Sequence, residues 1–196
     1  MSDKNELSAI FLDADGVLWE DVGPGGILNG EHFSIQNLGL LPSLEHKKYL
    51  RIVVSNQTLA ARNEIGYVKF KLTTNKFFRR LIKLKLLSDF AICYHHPNAK
   101  NVFLKKKCQC RKPLPGLINS MIKKHKITPE KSFLIGDRIT DIQSGAAAGI
   151  RNLYLIVNPK MLEINENSSN RPLQVVFTPL KELEEFSKIK EFVDEN

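Results

Sequence analysis

An alternation constrains this chain more than any other feature. Short apolar runs rich in β-branched and aromatic residues take turns with segments whose apolar residues recur at the helical period. AIFL (9–12), RIVVS (51–55), FAICY (90–94), SFLIG (132–136), NLYLIV (152–157) and QVVF (174–177) read as strands. Most lack polar–apolar alternation, as strands covered on both faces do. Between them, TTNKFFRRLIKLKLL sets Phe77, Phe78, Leu81, Ile82 and Leu86 on one stripe. PGLINSMIKKHK does the same with Leu117, Ile118, Met121 and Ile122. Asp141 to Gly149 is a small-residue helix suited to close packing. Thr178 then Pro179 opens a last helix, as an N-cap followed by proline at the first helical position. This order predicts an α/β fold, a doubly wound Rossmann-like parallel sheet with right-handed crossovers and helices on both faces. The 196 residues suit one domain, 1–196.

That fold has a chemical consequence. In open parallel sheets, ligands sit beyond the carboxyl ends of the strands. The residues directly after each strand therefore carry the functional signal. Asp13-Ala14-Asp15-Gly16-Val17 follows the first strand and Ser55-Asn56-Gln57 closes the second. The third leads into a cysteine-bearing segment that ends in Arg111-Lys112-Pro113. Gly136-Asp137-Arg138-Ile139-Thr140-Asp141 follows the fourth. Two long irregular pieces, 20–37 and 97–115, are expected as loops over the same edge. Taken singly, each motif has a structural explanation: a turn, a helix cap, a surface lysine. A calcium loop at DADG fails, because an EF-hand needs its glycine later and further acids.

Together the strand ends supply two acids two residues apart, a hydroxyl with an amide, a lysine and a second acid pair. Phosphoryl transfer through an aspartyl-phosphate needs this set. One carboxylate attacks phosphorus. A hydroxyl, backbone N–H groups and an ammonium hold the phosphate oxygens. Mg²⁺ on the carboxylates offsets the repulsion between anionic nucleophile and anionic substrate. A second acid protonates the leaving alkoxide and then activates water.

The pattern resembles the haloacid dehalogenase (HAD) superfamily of phosphohydrolases. Its first motif is D-x-D-G-[TV], its second ends in Ser or Thr, its third is a Lys, and its fourth is an acid pair after Gly. The resemblance implies Asp13 as nucleophile and Asp15 as general acid/base. Ser55, Asn56 and Lys112 would hold the phosphoryl group. The Asp13 carboxylate, the Asp15 carbonyl and Asp137 would bind catalytic Mg²⁺. Asp141 would support Asp137 or Lys112 from behind.

All three cysteines lie in CYHHPNAKNVFLKKKCQC, residues 93–110. Cys93-x-His95 is followed, after twelve intervening residues, by Cys108-x-Cys110. Four such ligands fit tetrahedral Zn²⁺ with no open position, which makes the zinc structural. His96 is the rival to His95, which is preferred because C-x-H mirrors C-x-C. An iron–sulfur cluster is disfavoured by the histidine.

This loop, with CRKPLPG after it, resembles the zinc-containing histidinol-phosphatase-like branch of the superfamily. That branch holds histidinol-phosphate phosphatases and D-glycero-D-manno-heptose 1,7-bisphosphate phosphatases of bacterial surface-glycan synthesis. The long gap between the metal pairs, HHP, RKPLPG, VVSNQ with AAR, LGLLPSL and GDRITDIQSGAAAGI are similar to the heptose group, to about residue 187. Removal of the 7-phosphate is the implied reaction, with histidinol phosphate as the alternative substrate. The resemblance also implies an essentially capless HAD fold with a zinc-stapled loop, and substrate contacts from Gln57, Thr58, Arg111 and Arg138. LWEDVGPGGILNG departs from the group. Trp19 replaces a small polar residue and GPGG replaces a Gly-Tyr, so the sugar, its anomer and the phosphate removed stay open. Trp19 could stack on a sugar or pack.

The net charge is +8. Lys105, Lys106, Lys107, Lys123, Lys124 and Lys126 read as solvated surface, while Arg111, Lys112 and Arg138 form a positive rim that attracts phosphates. A nucleic-acid-end phosphatase or binding module is the rival class. It is disfavoured by the lack of a basic stripe with interleaved aromatics and of a Walker motif. MSDKNELSAIFLDADG does not read as a signal peptide, and no stretch approaches the ~20 apolar residues of a membrane helix. The expectation is a cytoplasmic enzyme with reduced thiols, favoured as a monomer, acting on a small-molecule sugar phosphate without nucleic-acid or membrane partners.

Overall fold

The computed structural model describes residues 7–18, 49–62 and 65–156. The expected strand 174–177, the helix from Thr178, the loop 20–37, Trp19 and the GPGG stretch lie outside the described residues, and with them the expected absence of a cap.

Among the described residues, five strands form one parallel sheet: β1 (Ser8–Leu12), β2 (Tyr49–Asn56), β3 (Asp89–Cys93), β4 (Phe133–Gly136) and β5 (Asn152–Leu155). Their order is β3-β2-β1-β4-β5. The chain runs outward from β1 to β3, then returns to the other side of β1 for β4 and β5. Such a reversal opens a crevice at the carboxyl ends of the central strands. Register fixes what lines it. Leu12 pairs with Val53 on one side and Ile135 on the other, so Asp13 stands level with Gly136 at the end of β4 and with Val54, two residues before the end of β2.

Three α-helices among the described residues cover the sheet: α1 (Tyr67–Lys83), α2 (Gly116–His125) and α3 (Ile139–Ala147). One core holds Ile10, Leu12, Val53, Phe133 and Ile135 with Phe70, Phe78 and Leu81 of α1. The other holds Ala9, Phe11, Ile52, Val54 and Leu134 with Leu117, Ile118 and Met121 of α2 and Ile142 of α3. β1 is thus apolar at successive residues because both of its faces are covered. Each fully buried side chain of this size contributes roughly 1.5–3 kcal/mol.

α1 begins six residues before the expected TTNK and ends at Lys83 rather than Leu87. Its buried stripe is Phe70, Thr74, Phe78 and Leu81, while Phe77, Ile82 and Leu86 are half-buried against the same core. Thr74 sits inside because its hydroxyl donates to the Phe70 carbonyl at 2.8 Å. Lys85, in the left-handed region at φ 58°, turns the chain out of the helix.

The far end of α2 is pinned to the sheet. Asp89, first residue of β3, accepts from Lys124 Nζ at 2.5 Å and His125 Nε2 at 2.6 Å. Burial alone would raise the Asp89 carboxyl, but hydrogen bonds from Lys124, His125 and the Phe90 amide outweigh it and hold the group below its ordinary value. A depressed carboxylate adds stability above its unfolded value, and that stability is lost as pH falls through the folded one. Asp89→Asn should therefore cost about 1 kcal/mol at pH 7, with the gap to wild type closing as pH falls below about 4. Urea unfolding across pH checks this; a gap constant from pH 7 to pH 3 would remove the clamp.

Candidate active site

Asp13 follows β1 directly and is 7% exposed. Its Oδ1 accepts the Ala14 N–H at 2.7 Å and faces Lys112 Nζ at 2.8 Å. Lys112 comes from the far end of the cysteine segment, yet it is 5% exposed. Its ammonium also pairs with Asp141 and donates to the Val54 carbonyl at 3.0 Å. Three acceptors thus meet the three donors of one nitrogen. Burial would push this lysine down, but the charges of Asp13 and Asp141 win and hold it above its ordinary value. Asn56 brackets the Lys112 peptide: its Oδ1 accepts the Lys112 N–H and its Nδ2 donates to the Lys112 carbonyl, both at 3.2 Å. Asn56 was expected at the phosphate, but its amide is engaged in placing the lysine.

The acid pair after β4 divides its labour. Asp141 enters the first turn of α3, where its Oδ2 accepts the Arg138 N–H at 3.0 Å and its Oδ1 faces Lys112. It does back Lys112. Asp137 sits further forward. Its Oδ1 is buried with no hydrogen-bond partner among the described residues. Burial, then the charges of Asp13 and Asp141, push its carboxyl up to about 7. Asp13, Asp137 and Asp141 each offer an oxygen, all within 4.8 Å of one another. Three carboxylates face one ammonium, an excess of two negative charges in a partly dry pocket. A divalent cation with oxygen ligands answers both that excess and the orphaned Asp137 oxygen, and an octahedral Mg²⁺ shell spans oxygens up to about 4.2 Å apart.

Two glycines make this approach possible. A Cβ at Gly16, which has φ +78°, would lie 2.3 Å from Asp137 Oδ2, and one at Gly136 would lie 2.3 Å from the Asp141 Cβ. The sequence reading placed both in motifs but gave them no role.

The second acid of the first motif, Asp15, is half-buried. Its Oδ2 accepts from Gln57 Nε2 at 2.7 Å, and the same nitrogen lies 3.2 Å from Ser55 Oγ. Gln57, expected to touch substrate, is 3% exposed. Of the other expected substrate contacts, Thr58 is half-buried just after β2, and Arg111 is half-buried with Nη1 donating to the His95 carbonyl at 3.3 Å. Arg138 is exposed, with Nε 3.8 Å from Asp137 Oδ2.

Cys93, His95, Cys108 and Cys110 converge beside this edge. Cys110 Sγ lies 3.2 Å from Cys93 Sγ, 3.2 Å from Cys108 Sγ and 3.3 Å from His95 Nδ1. Cys93 lies 3.7 Å from Cys108 and 3.9 Å from His95 Nδ1. With Zn–S bonds of about 2.3 Å, the edges of a tetrahedral site are about 3.6–3.8 Å, so these four donors fit Zn²⁺ with small adjustment. His96 is otherwise engaged: its Nδ1 accepts the Asn98 N–H at 3.1 Å. The loop apex is tied down as well, since Lys100 and Asn101 both donate to the Ala61 carbonyl, at 2.8 and 3.2 Å.

A family model described as "HAD-hyrolase-like" matches residues 109–157. The D-glycero-alpha-D-manno-heptose-1,7-bisphosphate 7-phosphatase of Photorhabdus laumondii is 31% identical over 78% of this chain and 84% of its own length. The D-glycero-beta-D-manno-heptose-1,7-bisphosphate 7-phosphatase of Helicobacter pylori is 33% identical over 79% of this chain and 87% of its own. The chain belongs to the heptose-bisphosphate phosphatase family of the HAD superfamily. Its fold agrees with a member of known structure, the D,D-heptose 1,7-bisphosphate phosphatase of B. bronchiseptica complexed with magnesium and phosphate. The TM-score is 0.71 at 21% identity, covering 96% of this chain and 99% of that one.

In this HAD phosphatase the cysteine cluster stands apart from the three carboxylates as a second group of potential metal ligands. If the four donors hold zinc, elemental analysis of purified protein will find about one zinc per chain, and Cys110→Ser will lose most of it together with several degrees of Tm. A full zinc complement in Cys110→Ser would rule out this ligand set.

Proposed function

We propose that this phosphatase hydrolyses the 7-phosphate of a D-glycero-D-manno-heptose 1,7-bisphosphate, for surface-glycan precursors, through an aspartyl-phosphate. One observation carries the reading: Asp13 stands at the sheet's switch point with Lys112 Nζ 2.8 Å from its carboxylate, amid the Asp137–Asp141 pair. Membership in the heptose-bisphosphate phosphatase family supports the choice of sugar.

In the first step, an Asp13 oxygen attacks phosphorus, a P–O bond to Asp13 forms, and the bond to the sugar oxygen breaks. Asp15 gives its proton to the departing alkoxide. The Ser55 hydroxyl would hold one equatorial phosphoryl oxygen, and the Lys112 ammonium would take another by turning one of its three donors from Asp13 to the phosphoryl group. In the second step Asp15, now a carboxylate, takes a proton from water as that water attacks phosphorus. Inorganic phosphate leaves and Asp13 is regenerated. Mg²⁺, which Asp13, Asp137 and the Asp15 carbonyl would hold, offsets the negative charge of nucleophile and phosphate. Arg111, Arg138 and Thr58 line the side on which the sugar and its second phosphate would lie. Zn²⁺ on Cys93, His95, Cys108 and Cys110 serves the fold and takes no part in the chemistry.

In this reading residues 1–196 form one HAD-like domain, active as a cytoplasmic monomer. Among the described residues, no helix is long and apolar enough to cross a membrane.

Asp13→Asn should lower turnover at least about 10³-fold while the circular dichroism spectrum and fold stay intact. Substantial remaining turnover would end the aspartyl-phosphate reading. A phosphate-release screen with Mg²⁺ over both anomers of heptose 1,7-bisphosphate and over histidinol phosphate decides the substrate. The heptose compounds should lead in kcat/KM by at least about 10-fold, equivalent to about 1.4 kcal/mol. Preference for histidinol phosphate would move the chain's activity to the sister group.

A further inference from the structure

The side chain of Gln57 has a task that its place in the motif does not suggest. It is only 3% exposed, and its backbone N–H donates to the Cys93 carbonyl at 2.8 Å. Its amide nitrogen reaches two functional groups at once, Asp15 Oδ2 at 2.7 Å and Ser55 Oγ at 3.2 Å. The amide nitrogen faces Asp15 Oδ2, and while Asp15 is ionised the oxygen end in that place would set two acceptors together.

We propose that Gln57 is a positioning residue, one amide that sets both the proton-bearing oxygen of Asp15 and the direction of the Ser55 hydroxyl. The inference rests on the reading of Asp15 as general acid. When Gln57 donates to Asp15 Oδ2, the proton that Asp15 delivers is carried on Oδ1. When Gln57 also donates to Ser55 Oγ, that hydroxyl spends a lone pair on Gln57 and turns its hydrogen away, toward the phosphoryl group. The carboxyl's orientation and the hydroxyl's direction are therefore set by one buried group, before substrate arrives.

The test separates acid catalysis from the rest of the reaction through the leaving group. A sugar phosphate expels an alkoxide that needs a proton, while p-nitrophenyl phosphate expels a phenolate that does not. Gln57→Leu, Gln57→Glu and Asp15→Asn are compared on heptose 1,7-bisphosphate and on p-nitrophenyl phosphate, after thermal melts. Gln57→Leu should lower kcat on the sugar phosphate roughly 10- to 100-fold, and on p-nitrophenyl phosphate several-fold less, with KM little changed. Gln57→Glu should keep the packing but donate only when its carboxyl is protonated. Its kcat on the sugar phosphate should recover toward low pH, relative to wild type. Equal losses on both substrates for Gln57→Leu, with no low-pH recovery of Gln57→Glu, would overturn the proposal. A raised KM at unchanged kcat would also overturn it, and would make Gln57 a substrate contact. Asp15→Asn keeps the two claims apart. If it fails to discriminate between the leaving groups, Asp15 is not the acid and the underlying reading falls. If it discriminates and neither Gln57 variant does, the positioning claim falls alone.

Discussion

A lysine that is 5% exposed stays charged here only because Asp13, Asp141 and the Val54 carbonyl surround its nitrogen. Remove both carboxylates and only burial remains, which drives the ammonium toward its neutral form. Remove the lysine and two buried carboxylates repel each other at close range. The three groups come from β1, from the end of the cysteine segment and from α3. One ion cluster therefore ties together three stretches that are far apart in sequence but meet at the sheet's switch point. The charge count also explains why the pocket calls for a dication: the lysine cancels one carboxylate of three.

Much of the remaining architecture serves to place that nitrogen. Asn56 grips the Lys112 peptide at both its N–H and its carbonyl. Two residues upstream, Cys110 belongs to a donor set whose other members are the last residue of β3, His95 and Cys108. Arg111 reaches back to the His95 carbonyl. Lysine position is thus set from both sides, by an asparagine on β2 and by a clustered turn of the loop. The same loop rests on the Ala61 carbonyl, in the turn that follows Ser55, Asn56 and Gln57. Hydroxyl, amide and lysine share one brace.

The sheet and the acids were legible because physics forces them into pattern. Strands buried on both faces must be apolar throughout, as AIFL and SFLIG are, and an aspartyl-phosphate site must place acids at strand ends. The start of α1 was not legible. Gly66 precedes the helix without a side-chain cap, so nothing before Tyr67 announces it. Its end was hidden for a related reason, since Lys85 takes a left-handed conformation that glycine usually signals. Lys126 takes the same conformation after α2, yet that helix ends where PGLINSMIKKHK ends. His95 and His96 could not be separated by spacing alone; the hydrogen bond from Asn98 to His96 separates them. The family resemblance puts Asn56 at the phosphate and Gln57 at the substrate. Both turn inward, and residue type alone carries no information about which of two nearby acceptors an amide will meet.

Gly16 is held to glycine by the carboxylate oxygen of an aspartate from another motif, and Gly136 by the Cβ of an aspartate further along its own. Neither can contribute a functional group, yet any side chain there would displace a carboxylate that can. In a population of variants, both positions would behave as though they were catalytic. The space open to evolution at this edge is therefore narrower than a list of reacting groups implies: changes to the acids' chemistry must pass through two places where no side chain can be tried.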